Sequence, residues 1–122
     1  MNDYHKKREK ELAGKIPFSN GRWNISYLYE YLVEVNYGAD NIALKFFSKH
    51  LADTELAGIL LKEFLLNDEY DGSESQLGAA VILRRMDRSA LKANRELVLL
   101  AQQNETYWKR PCAENEDQDW LS

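Results

Sequence analysis

The chain has 122 residues, 44% of them hydrophobic and 30% charged, with 16 Lys/Arg against 20 Asp/Glu for a formal net charge of −4. This length suits one domain with a substantial core, and the composition excludes the collagen-like, fibrous and wholly disordered classes. With one cysteine, Cys112, neither an intrachain disulfide nor a cysteine-based metal site can be completed, and no apolar run reaches the ~18 residues of a membrane span.

Helical patterning dominates from the start. Residues 2–14 are polar on nearly every side, with Asp3 four before Lys7 and Glu11 four before Lys15, and only Tyr4, Leu12 and Ala13 to anchor them. A helix of that kind is marginal alone, so residues 1–15 are expected to form a basic N-terminal arm or helix that frays or orders on a partner. The opening stretch lacks the apolar segment of a secretory signal, and a cytoplasmic location is expected. Pro17 and the pair Asn20-Gly21 mark a turn, with a short hairpin weakly signalled around it.

Asn24 or Ser26 can cap the next helix, in which Ile25, Leu28, Tyr29, Leu32 and Val33 fall at the spacing of a core face and Gly38 ends the run. Asp40 is placed to open a third helix carrying Ala43, Phe46, Phe47, His50 and Leu51 on one side. Asp53 or Thr54 opens a fourth, and the apolar density of residues 56–66 predicts the most buried element of the fold. Residues 67–73 read as a loop, after which Ser73 and Gln76 make a capping-box signature.

Helical patterning then continues to about Trp108, with a break expected at residues 87–89 if Asp87 or Ser89 caps a new helix. Ala79, Ile82, Leu83, Met86 and Ala90 line its first part; Ala93, Leu97, Leu100, Ala101 and Trp108 line its second, and Pro111 stops it. The expectation is an all-α fold, an irregular bundle of about five helices in one domain over residues 16–110. An acidic, flexible tail at residues 111–122 completes it.

Charge is sorted along this scaffold. Residues 1–29 sum to +3, residues 30–74 to −7, residues 75–110 to +4 and residues 111–122 to −4. Segregation of this kind governs association more than fold. The chemistry-bearing patterns are otherwise thin. The loop from Asn67 resembles a calcium loop at Glu69, Asp71 and Gly72, yet its twelfth position is Gly78, where a bidentate Glu must close the shell. His5 lies in the basic arm and His50 on an apolar face three residues before Asp53, a carboxylate able to hydrogen-bond it. No Ser-His or Cys-His motif, paired metal ligand or glycine-rich phosphate loop accompanies either histidine. The reading is therefore non-enzymatic, with no cofactor, no metal and no small-molecule substrate.

Three features point to macromolecular contact. Trp23, Tyr27 and Tyr31 recur every four residues beside Glu34, and tyrosine and tryptophan dominate interface hot spots. Arg84, Arg88, Lys92 and Arg95 form a basic stripe ~16 Å long if one helix runs through residues 84–95. The tail ends in an acidic run followed by Trp120 and Leu121, a docking segment in outline. The function expected is a small protein-binding module of the inhibitor, immunity or adaptor kind, open to homo-oligomerisation and without a membrane role. The alternative is a nucleic-acid-binding regulator that uses the basic stripe.

Overall fold

The computed structural model describes residues 3–37 and 41–103. Among them run seven α-helices and one two-stranded hairpin: α1 (Asp3–Ala13), β1 (Phe18–Ser19), β2 (Arg22–Trp23), α2 (Ile25–Glu34), α3 (Ile42–Phe47), α4 (Thr54–Ile59), α5 (Glu74–Arg85), α6 (Arg88–Lys92) and α7 (Arg95–Gln102). The fold is all-α. The acidic tail, Trp108, Trp120, Gly38 and Asp40 lie outside the described residues.

Local chemistry explains most boundaries. Asn20 and Gly21 both take positive φ, at 55° and 74°, which is what a tight two-residue hairpin turn demands of its central pair. Phe18 then pairs with Trp23 and Ser19 with Arg22. Asn24, Asn41, Asp53 and Ser73 each cap a helix by accepting from a backbone N–H three residues on, at 3.0, 2.9, 3.0 and 3.2 Å. Gln76 does not close the capping box on Ser73. Its side chain instead accepts from the Gly72 N–H at 2.9 Å and donates to the Leu65 carbonyl at 2.8 Å, tying the loop to the preceding helix.

After Ile59 the chain widens into a π-helical turn over Leu60–Leu65, closed by the Leu66 N–H on the Leu61 carbonyl at 2.9 Å. Leu56, Ala57, Leu60, Leu61, Phe64 and Leu65 are all buried, as the apolar run over residues 56–66 predicts. Helix α5 packs along both this segment and α2. At the α2–α5 crossing the two backbones touch: a Cβ on Gly78 would lie 1.9 Å from the Leu32 carbonyl oxygen.

Three expectations are corrected. Along α2 and the turn that follows it the inward residues are Leu28, Tyr31, Leu32, Glu34 and Val35, while Ile25 and Tyr29 stay 38% and 37% exposed. The helix is apolar on most of its circumference, so spacing alone does not choose the face; the close approach of α5 does. The third helix stops at Phe47, so His50 sits in the following turn, not on a helix face. Among the described residues the segment from Leu77 runs through three helices, with a break near the position that Asp87 signals and a second, unexpected one. Met86 adopts an extended conformation, the Asp87 N–H bonds the Leu51 carbonyl at 2.8 Å, and a second break falls at Ala93 and Asn94. Asn94 donates to the Thr54 and Ala90 carbonyls, both at 3.0 Å. Ala93 and Leu100, expected inside, are consequently exposed, and Val98 and Ala101 face the core.

The arm also differs from expectation, because α1 docks on its own chain. Leu12 is fully buried, its carbonyl accepts from the Tyr31 hydroxyl at 2.5 Å, and Glu30 Oε1 receives Arg8 at 3.3 Å and Lys15 at 3.2 Å.

Candidate functional site

The structure takes Tyr31 of the aromatic row, and Glu34 beside it, inside. Tyr31 is 3% exposed, with its ring edge-on to Phe46 at 5.2 Å and its hydroxyl spent on Leu12; Glu34 is 7% exposed. Neither is available to a partner, which corrects the expected Tyr27–Tyr31–Glu34 surface. Burial, helped by the neighbouring Glu30 charge, holds the Tyr31 phenol above its ordinary range.

Trp23 is half-buried in a ring cluster with Phe18 at 4.8 Å, His50 at 5.2 Å and Phe46 at 6.0 Å. Its indole Nε1 is buried without a hydrogen-bond partner among the described residues. Edge-on contacts to the Phe46 and His50 rings, at 84° and 74°, are of the kind that lets an aromatic face accept weakly from an N–H. Tyr27 is half-buried, and with Ile16, Ser19, Arg22, Trp23 and Asn24 it lines an open hollow of about 290 Å³.

His50 lies in the same ring cluster, 4.7 Å from Phe46 and 5.8 Å from Phe18. The His50 pKa is lowered by burial, which outweighs the opposing Asp53 carboxylate, and Lys49 adds a smaller push in the same direction as burial. The Asp53 carboxylate is occupied in capping α4 at Leu56. Asn67, first residue of the calcium-like loop, is likewise engaged locally, accepting from the Glu69 N–H at 3.0 Å and donating to the Glu63 carbonyl at 3.1 Å.

The apolar surface that does face outward lies one face round α2 from the expected one. Ile25, Ser26, Tyr29, Glu30 and Tyr70 line an open groove of about 460 Å³. Tyr29 and Tyr70 stand 5.5 Å apart, and Tyr70 stacks at 5.4 Å and 19° on fully buried Phe64. One wall of the groove is therefore a ring held against the core, with little rotamer freedom left to lose on binding. Asp68, Glu69 and Asp71 flank Tyr70 in sequence; all three are exposed and none forms an ion pair among the described residues. The helical spacing of α2 places Ile25 and Tyr29 in the core and nothing in it points to Tyr70, whose one signal in sequence is an aromatic residue inside an acidic turn.

The basic stripe does not form as one row, because the two helix breaks send its members onto α5, α6 and α7. Arg84 and Arg88 are half-buried and Lys92 and Arg95 exposed. Arg88, Lys92, Arg95 and the neighbouring Arg85 form no ion pair among the described residues. Among the described residues no helix is long and apolar enough to cross a membrane. No family model, curated protein or solved structure matches the chain.

Proposed function

We propose that the protein is a small, non-enzymatic binding module that receives a segment of another protein in the groove between α2 and the Asp68–Tyr70 turn. The observation that carries this reading is the Tyr29–Tyr70 pair: two rings at the surface, one buttressed by Phe64, beside three exposed carboxylates that form no ion pair among the described residues. Aromatic side chains so held supply binding area at low entropic cost. The acidic rim selects a partner segment with an apolar or aromatic anchor flanked by Lys or Arg. An inhibitor, immunity-type or adaptor role needs no more than this.

Selection from a displayed random peptide library tests it. Enriched peptides should carry an apolar anchor next to basic residues, and Tyr29→Ala should weaken their binding by about tenfold or more while the unfolding midpoint stays close to the parent value. Enriched peptides that bind the Tyr29→Ala and Ile25→Ala variants as tightly as the parent would refute the groove.

The second reading, nucleic-acid binding, draws on the cations Arg85, Arg88, Lys92 and Arg95, which form no ion pair among the described residues. It loses the straight helical stripe that would follow a phosphate backbone. If it holds, affinity for DNA or RNA falls steeply as salt rises and vanishes in R88E/K92E/R95E.

A further inference from the structure

The α6–α7 corner presents a different surface, and it matches a segment of this same chain. Arg88 and Lys92 are one turn apart on α6 and share a face; Arg95 and Leu99 do the same on α7. Leu99 and Leu100 are exposed, Leu100 by 54%. Ala93, Asn94, Arg95, Glu96 and Leu97 line an open groove of about 430 Å³ at the junction. Asp87 and Glu96 are the acidic members of the corner, against Arg85, Arg88, Lys92 and Arg95, so it keeps a net positive charge, and none of these four cations is ion-paired among the described residues. The surface thus joins cations to two bare leucines.

Residues 111–122 carry the opposite pattern: Glu114, Glu116, Asp117 and Asp119 without a single Lys or Arg, closing on Trp120 and Leu121. We propose that this tail segment is the occupant of the α6–α7 corner, its carboxylates against Arg88, Lys92 and Arg95 and its Trp120-Leu121 pair against Leu99 and Leu100. The chain is long enough. Helix α7 spans only ~12 Å at 1.5 Å per residue, whereas the stretch from Gln103 to Asp117 covers up to ~46 Å when extended. Attachment in the same chain also gives the tail a high effective concentration over the corner, so weak contacts suffice. The inference stands apart from the α2 groove, and it makes the exposed cations a masked surface.

A nitroxide placed at the end of the tail reads this in the full chain. In a Cys112→Ser/Ser122→Cys protein the label sits 19 residues beyond Gln103, at a root-mean-square distance of about 25 Å if the tail is a free coil. Docking should broaden the amides of residues 88–100 by about twofold or more relative to the reduced label. That broadening should be lost in R88E/K92E/R95E, in the tail variant E114Q/E116Q/D117N/D119N and at about 0.5 M salt. The tail variant leaves the helical body untouched, so its result holds even if the arginine variant unfolds. Broadening confined to the last residues of α7 and unchanged by the tail variant overturns the proposal. So does broadening that survives only between labelled and isotope-enriched copies, which would place the tail on a second molecule.

Discussion

Gly78 shows how little room single positions leave. Its hypothetical Cβ meets backbone, the Leu32 carbonyl oxygen at 1.9 Å, which no side-chain rotation can relieve. Gly78→Ala should therefore push α2 and α5 apart and cost about 3 kcal/mol or more, read as a lowered denaturant midpoint. Gly58 is the milder case, since a methyl there would meet only the Asn94 side chain, at 2.9 Å. Tyr31 illustrates the limit of counting residues on a helical wheel. Its phenol satisfies a buried carbonyl of α1, a use that no spacing within α2 reveals.

At the level of elements, α1 is held by few contacts, and one carboxylate carries much of the load. Glu30 receives both Arg8 and Lys15, and Arg8 also reaches Glu11 at 3.2 Å. Burial works against the Arg8 charge, but hydrogen bonds to Glu11 and Glu30 outweigh it and keep the pKa raised. All of these side chains are partly exposed, so the Glu30 pairs together contribute about 1 kcal/mol. Glu30→Ala should speed amide exchange of residues 4–12 by about fivefold and leave α5 unaffected. Uniform acceleration across the chain would mean that α1 is integral to the cooperative core. The segment after Leu77 makes the complementary point. Asp87 signals a helix break in sequence, whereas the break at Asn94 depends on the carbonyls of Thr54 and Ala90, the first 40 residues away.

For the molecule as a whole, His50 ties stability to pH. Its folded-state pKa is depressed by burial, which outweighs the pull of Asp53, with a smaller push from Lys49 in the same direction as burial. Above the unfolded value of about 6.5 both states hold a neutral ring and the residue adds no pH dependence. As pH falls below that value the unfolded chain takes up the proton first. Stability then drops until the folded ring also protonates, after which the curve is flat again. His50→Phe, which keeps a ring among Phe18, Trp23 and Phe46, should flatten the loss of stability between pH 7.5 and pH 5 relative to the parent in parallel denaturant titrations. An unchanged slope would show that the ring is not depressed in the folded state.

The all-α class, the hairpin at Asn20-Gly21, three of the caps and the burial of residues 56–66 were legible in the chain, because each depends on neighbours in sequence. Side-chain oxygens reach a backbone N–H three residues on, glycine tolerates positive φ, and a dense apolar run must leave water. The face of α2, the fate of Tyr31 and Glu34, the splitting of the basic stripe and the exposure of Tyr29 beside Tyr70 were settled only by tertiary contacts. A helix apolar on most of its circumference offers several equivalent faces, and the choice falls to whichever neighbour approaches. Here that is α5, whose Gly78 lets it rest against the backbone at Leu32.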